Sequence, residues 1–183
     1  MKKFLTFGLA LSLSFAAAEI LNIDKSHSSV NFQVTHMMIS DVEGKFDDFK
    51  GEVDFDLQSK TLKGIEGEVK ISSINTNNNS RDNHLKAPDF FDAAKFDKAT
   101  FKATKITKDK VIADVTMHGV TKSVTFKSTI KGPVENLMSK KQMISLKLES
   151  KINRKDFGIG LDTKNAMVSD EVAIRILIEA NAK

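Results

Sequence analysis

Apolar and polar residues alternate along most of the chain from Ser28 onward. Val30, Phe32 and Val34 are separated by polar residues, and side chains two positions apart lie on the same face of a β-strand. This period of two is typical of a half-buried strand. It recurs along the chain and predicts eight strands, with apolar positions within 30–34, 53–57, 65–71, 99–103, 111–117, 124–130, 144–152 and 172–178.

Turn-forming residues such as Gly51, Gly119 and Gly132 separate these segments. The connections are short, which favours antiparallel pairing of neighbouring strands. Antiparallel strands with one apolar face each form either a sandwich or an up-and-down barrel, and a barrel of about eight strands is wide enough for one small ligand. Small residues at inward positions, such as Gly67 and Ala113, would leave a closed barrel incompletely filled. The pattern therefore predicts an all-β fold with space for an apolar ligand.

A polar segment at residues 75–92 interrupts the alternation. Ser80 is the expected N-cap of a short helix, and Pro88 ends it because proline lacks an amide proton. Phe90 and Phe91 follow at once and need apolar cover. We expect the helix to lie as a lid over an opening in the barrel, with the two rings closing the mouth. A surface connection anchored by the same rings is the alternative.

Two charged residues of this helix, Arg81 and Asp82, are adjacent in the sequence. A partly buried ion pair between them would fix the lid in place. Alternatively, Arg81 binds the polar head of a ligand.

The first residues have the features of a signal peptide. Lys2 and Lys3 precede an apolar run at 4–15, and small alanines occupy 16–18. We expect cleavage after Ala18, which leaves residues 19–183 as a single domain, exported to the periplasm or secreted. The chain has no cysteine, so its stability must come from a hydrophobic core and not from disulfides. The net charge of +4 falls further with the loss of both lysines and indicates no nucleic-acid partner.

Histidines, carboxylates and hydroxyls are the side chains of this sequence that could act in catalysis or bind a metal. No nucleophile elbow, zinc-binding helix motif or paired-carboxylate pattern is recognisable, so we do not expect an enzyme. A soft-metal site is a second candidate, but His27 and His36 have opposite parity on a strand and His118 has outward parity. We therefore do not expect the histidines to converge on a metal. The alternative function that remains is a periplasmic metal-binding or stress-response protein that uses His36, His84 and the methionines Met37, Met38 and Met117.

Five spaced motifs resemble those of the YceI-like family of exported, lipocalin-like, polyisoprenoid-binding proteins. They are the segments at 24–32, 36–38 with 44–46, 81–85 with 89–91, 118–122, and 153–158. The resemblance implies an extended eight-stranded antiparallel barrel with a short helical lid. Its apolar tunnel would hold a polyisoprenoid, isoprenoid quinone, fatty amide or similar long-chain amphiphile. The implied role is that of a carrier or sequestering protein, with homodimers in some relatives.

The predicted ligand contacts combine inward apolar positions of the strands with polar groups near the mouth. Tail burial would provide the affinity, and the polar groups would select the head. The bound lipid is the only ligand expected. We expect no cofactor, no metal and no membrane-spanning segment. The candidate residues are Phe32, Val34, Phe101, Met117, Phe126, Ile174 and Ile176 for the tail, Phe90 and Phe91 to close the mouth, and Arg81, His84 and Arg154 for the head.

Overall fold

The computed structural model describes residues 18–183 and consists mainly of antiparallel strands. The predicted signal peptide lies outside the described residues except for Ala18. No helix among the described residues is both long and apolar enough to cross a membrane. The elements are β1 (Glu19–Ile23), β2 (Ser29–His36), β3 (Ser40–Phe46), β4 (Phe49–Asp56), β5 (Thr61–Lys70), β6 (Ile74–Asn75), α1 (Asn79–Leu85), β7 (Lys98–Ile106), β8 (Lys110–Met117), β9 (Val120–Glu135), β10 (Gln142–Asn153) and β11 (Glu171–Asn181), with 3₁₀ turns at Ile71–Ser73 and Arg154–Phe157.

The sheet closes into a barrel because β11 pairs on both of its edges. Around the ring the order is β1-β4-β5-β7-β8-β9-β10-β11, and β11 returns to β1. Toward its start, β11 pairs instead with β2, which continues the sheet through β3 to β6. The predicted eight-stranded antiparallel barrel is therefore confirmed, and the sandwich is not formed.

Ser28 fills the break between β1 and β2 where both run along β11. Its buried hydroxyl accepts a hydrogen bond from the Glu179 amide at 3.0 Å, and the Asp24 amide donates to the Glu179 carbonyl at 2.8 Å. These contacts replace the strand pairing that the intervening turn interrupts, so the backbone groups of β11 stay satisfied.

Three strands, β1, β3 and β6, were not predicted. β6 has two residues, too few to show a period of two. β3 does alternate, with Val42, Gly44 and Phe46 facing inward, but only two of these side chains are large and apolar, which weakens the signal. β1 is short, and apolar residues come shortly before it in the sequence, which hides its boundary.

The predicted inward faces form the core. Along β8, Val111, Ala113, Val115 and Met117 are buried, and the residues between them are more exposed. The same alternation continues in β4, β9 and β10. One apolar face per strand therefore points into the barrel, as the period of two predicts.

The short helix α1 begins two residues earlier than Ser80 would place it. Asn78, and not Ser80, is the N-cap: its side chain accepts a hydrogen bond from the Arg81 amide at 3.0 Å. Both residue types are good caps, so the sequence alone did not separate them. The helix ends before Pro88, as predicted.

The turn between β2 and β3 has an unusual backbone for its residues. Met37 and Met38 have φ values of 49° and 60°, and the Ile39 amide bonds the His36 carbonyl at 3.2 Å. Positive φ at both central positions is typical of Asn-Gly turns. Left-handed geometry costs a residue with a side chain about 1–2 kcal/mol.

Paired glycines let β4 and β5 approach closely on the inward face. Gly51 lies opposite Gly67, and a Cβ on Gly51 would stand only 2.5 Å from the Glu66 carbonyl oxygen. That atom belongs to a paired strand backbone and cannot move aside without breaking the ladder. Glycine within a strand commonly marks such a close approach.

Replacing Gly51 with alanine is expected to lower the free energy of unfolding by about 1–3 kcal/mol, because β4 and β5 must separate. Gly64→Ala is the matched control on the same hairpin, since its Cβ meets nothing closer than 3.4 Å. The control should change stability by less than about 0.5 kcal/mol. Urea denaturation of both variants measures the difference, and equal stabilities would contradict the close-approach argument.

Candidate ligand cavity

The barrel encloses a cavity of about 480 Å³, within the range of roughly 300–1,000 Å³ common for small-molecule sites. Its wall is mainly apolar and comes from strands on all sides of the barrel and from α1. The cavity reaches one end of the barrel, which we call the lid end. There it is bordered by α1, the β2–β3 turn and the loop 158–170.

All the residues predicted to contact a ligand lie on the cavity wall, although their contact with a ligand stays a prediction. The tail set is Phe32, Val34, Phe101, Met117, Phe126, Ile174 and Ile176, the mouth pair is Phe90 and Phe91, and the head set is Arg81, His84 and Arg154. The tail positions follow from strand parity, because an inward side chain in an open barrel faces the cavity.

Aromatic rings line part of this wall. Phe46 packs against Phe32 with ring centroids 5.7 Å apart and edge-on against Phe91 at 6.2 Å. Deeper in the barrel, Phe101 and Phe126 form a second edge-on pair at 5.2 Å. These separations are in the favourable range for aromatic pairs, so the rings form ordered apolar surfaces beside the open space.

The two lid phenylalanines occupy different positions. Phe90 is buried in the core, beneath Gly160 and edge-on to the His84 ring at 4.9 Å. Phe91 is half-buried against Phe46. The lid segment is also tied to the neighbouring loop, since the Gly160 amide donates to the Asp89 carbonyl at 3.1 Å. Both rings therefore lie on the cavity wall, and their role in closing the mouth stays a prediction.

The predicted ion pair between Arg81 and Asp82 is not formed. Both side chains bind Thr76 instead: Arg81 Nε donates to Thr76 Oγ1 at 2.8 Å and Nη2 to its carbonyl at 2.7 Å. Asp82 Oδ1 accepts from the Thr76 amide at 2.9 Å and hydroxyl at 2.6 Å. Adjacent helical residues point about 100° apart, and a shared partner can satisfy both where direct contact cannot.

Polar groups of α1 reach the cavity at the lid end. Arg81 and His84 both line it, and His84 Nε2 lies 2.8 Å from Asp89 Oδ2. Among the described residues, the side-chain hydrogen bonds of Arg81 use Nε and Nη2, and no protein acceptor binds its Nη1. This nitrogen is therefore available to a polar group of a ligand.

Arg154 organises the loop 158–170 from within. Its side chain is buried, with the residue 4 % exposed, and it donates to carbonyls along the loop and to Asp170 Oδ1 at 2.7 Å. Burial lowers the pKa of the guanidinium, and the carboxylate of Asp170 opposes that shift. The carbonyl acceptors are those of Ile159, Gly160, Thr163, Val168 and Ser169.

With all three nitrogens of Arg154 bound to the protein, the geometry assigns it to loop structure and not to a ligand head. An arginine has five N–H donors, and this set of acceptors uses them. The sequence could not distinguish the two roles, because both place an arginine beside a cavity.

Several wall residues were missed by sequence reasoning. Val42 and Phe46 belong to the unpredicted strand β3, and Phe49 begins β4 before the first position assigned to it. Met167 and Val168 lie in the loop 158–170, where no periodic signal exists. Alternation in 42–46 was the one signal that could have found any of them.

The histidines do not converge on one site. His36 and His84 border the cavity, whereas His27 lies near Glu179 and His118 packs against Phe96 with its Nδ1 3.2 Å from the Phe157 carbonyl. Within residues 18–183, the only group of three or more histidine or carboxylate side chains with metal-ligating spacing is Asp24, His27 and Glu179. It contains neither His36 nor His84, the two histidines of the metal-binding alternative.

Hydrogen bonds within the turn explain the Asp24 group without a metal. Bonds from Ser26 and His27 hold the pKa of Asp24 well below its usual range. The hydrogen bond to Asp24 in turn raises the pKa of His27. Both effects favour an ion pair that stabilises the turn before β2.

Comparison with known proteins identifies the family of the chain. A family model described as the YceI-like domain matches residues 21–180, and the chain belongs to this family. A UPF0312 protein of Staphylococcus aureus is 38% identical over 153 residues, which cover 81% of this chain and 90% of that protein. The resemblance seen in the sequence motifs is therefore confirmed.

Solved structures share the barrel. The YceI protein of Campylobacter jejuni is 31% identical and superposes with a TM-score of 0.74 over 100% of this chain and 99% of the other. A polyisoprenoid binding domain from Saccharophagus degradans is 16% identical, with a TM-score of 0.70 over 91% and 99% of the two chains. The second likeness is one of fold.

Replacing Arg154 with methionine is expected to lower the free energy of unfolding by about 3–5 kcal/mol, since it leaves Asp170 and several carbonyls without their donor. Lys151→Met is the matched control: its ion pair with Glu171 is exposed and should contribute less than about 1 kcal/mol. Urea denaturation measures both. Hydrogen exchange should also rise in 158–170 in the Arg154 variant alone, and unchanged exchange there would refute the anchoring role.

Proposed function

We propose that this protein binds a long-chain amphiphilic lipid, such as a polyisoprenoid, an isoprenoid quinone or a fatty amide, and acts as its carrier or sequestering protein. The observation that carries the proposal is a cavity of about 480 Å³ with a mainly apolar wall that reaches the lid end. Membership in the YceI-like family and the shared fold of a polyisoprenoid binding domain support it. Binding, and not catalysis, is the proposed activity.

The free energy of burying a tail in the apolar cavity favours a ligand with a long tail. Each methylene removed from water contributes about 0.8 kcal/mol. Association costs about 4–15 kcal/mol in lost freedom of motion, so a tail of roughly ten buried methylenes is needed to offset the middle of that range. A short fatty acid would bind weakly, whereas an isoprenoid chain would remain bound through purification.

The head group would lie at the lid end beside Arg81 and His84. Nη1 of Arg81 offers a donor, and His84 is already oriented by Asp89. A head with hydrogen-bond acceptors, such as a quinone carbonyl, an amide or a phosphate, fits these groups. Arg154 is not part of this proposal because its donors bind the loop.

Protein purified without detergent is expected to retain a lipid in near-stoichiometric amount, because release exposes the whole tail to water. Organic extraction with mass spectrometry identifies it. The chain has no tryptophan or tyrosine, so a bound quinone would dominate the near-ultraviolet absorbance. No lipid in the protein, together with no uptake of added isoprenoid after delipidation, would refute the proposal.

A cavity-filling variant serves as the matched test of location. Ala99 is buried on the cavity wall, and Ala94 is exposed away from it. Ala99→Phe should remove most of the retained lipid, and Ala94→Phe should leave it unchanged, with both variants still folded.

Export is the second expectation, based on the basic start, apolar run and alanines of residues 1–18. The mature protein from its native host should begin at Glu19. Intact-mass measurement checks this, and a mature pool that retains Met1 to Ala18 would contradict the periplasmic or secreted location.

A further inference from the structure

Five apolar side chains stand in solvent around the lid end: Met37, Met38, Ile39, Leu161 and Met167. We call this set the apolar rim. Ile39 is 87% exposed and Met38 is 72% exposed. Large apolar residues exposed together at one site indicate a surface that contacts another apolar surface.

Backbone contacts bring the parts of the rim together. The Met37 amide donates to the Met167 carbonyl at 2.9 Å, and His36 forms a β-bridge with Val168. Leu161 follows Gly160, whose amide is bound to the lid segment. The rim therefore surrounds the same opening as α1.

The turn that carries Met37 and Met38 is an unfavourable place for methionine. Both have positive φ, where asparagine or glycine would be accommodated with less strain. Strained backbone that persists at an exposed tip points to a role for the side chains it presents. The turn displays three apolar residues to solvent and buries none of them, so folding does not account for them.

The rim is continuous with the cavity. Met167 is exposed and also lines the cavity wall, as does the neighbouring His36. An apolar path thus runs from solvent at Met167 to the interior beside Val34 and Val42. A tail moving along it would avoid contact with water only if another apolar phase covered the rim.

We propose that the apolar rim docks on a lipid bilayer, so that the lid end opens directly onto the membrane surface. This inference rests on the proposed lipid-binding function. The rim side chains enter the acyl region to a shallow depth, and the lipid tail passes between bilayer and cavity without crossing water. Flexible methionines suit this contact because they adapt to an irregular apolar surface.

Charged residues on the same two segments have both signs, including Asp41, Asp162 and Lys164. The attraction therefore comes from apolar burial and not from anionic headgroups. Docking should occur on zwitterionic phosphatidylcholine vesicles and change little between low and high salt.

The test compares matched substitutions at the two ends of the barrel. Met38→Asp with Ile39→Asp removes the tip of the rim, and aspartate tolerates left-handed backbone better than methionine, so folding is preserved. Leu137→Asp with Met138→Asp is the control, since these residues are 82% and 95% exposed on the β9–β10 connection at the other end. Partitioning of the mature protein onto phosphatidylcholine vesicles is measured by flotation.

We expect the rim variant to partition at least about tenfold more weakly than the wild type, and the control to stay within about twofold of it. No binding by the wild type, or equal loss in both variants, would overturn the proposal. A wild-type dimer that the rim variant dissociates, with vesicle binding unchanged, would assign the rim to a second copy instead.

A fluorescence measurement gives an independent readout. The chain has no tryptophan, so Ile39→Trp and Leu137→Trp each carry a single reporter. Emission of the first should shift to the blue on vesicles and that of the second should not; the reverse pattern would place the docking surface at the other end. Extraction of bound lipid from the same samples separates the two hypotheses. Retained lipid without a blue shift of the emission would contradict membrane docking alone. Absence of lipid would contradict the proposed function.

Discussion

Pairing of β11 on both of its edges is the constraint on which the rest of the molecule depends. Every residue of β11 has a partner on β10, while the opposite edge pairs with β2 at one end and β1 at the other. An unpaired edge would leave a row of backbone donors and acceptors to aggregate or to bind water. Ser28 bonds Glu179 where neither strand reaches, so the closure has no gap at that point.

Closure also creates the cavity, because the core side chains cannot fill the barrel. Gly51 and Gly67 add no side chain to the wall, and Ala99 adds one methyl group. The space is bordered at the lid end by a short helix and a long loop. Arg154 donates hydrogen bonds to carbonyls of that loop, which would otherwise be buried without donors. The loop at the mouth is therefore fixed by hydrogen bonds, as the strands are.

Polar groups at this mouth differ in their burial. Arg154 and Asp82 are buried and bound to protein, whereas Arg81 and His84 are exposed and line the cavity. The buried groups are bound because a charge removed from water must be paired or hydrogen-bonded, as Arg154 is by Asp170 and Asp82 is by Thr76. Around them the exposed apolar tip of the β2–β3 turn forms a surface with no partner among the described residues. Such a mouth suits a ligand that is apolar along its length and polar at one end.

The alternation of apolar and polar residues determined which strand side chains point into the barrel. Strand parity identified the inward residues, such as Phe101 and Ile176, because side-chain direction alternates at every residue of a strand. An eight-stranded barrel, a short helix before Pro88 and the family motifs were also readable from the sequence, although the predicted strands include β2 and lack β1 of the closed ring. Tertiary structure alone decided which polar partners meet. Asn78 displaced Ser80 as the cap, Thr76 took the contacts expected between Arg81 and Asp82, and Arg154 bound a loop 5–16 residues away. Hydrogen bonds of this kind depend on where separate segments pack, and a one-dimensional pattern of polarity does not encode those distances.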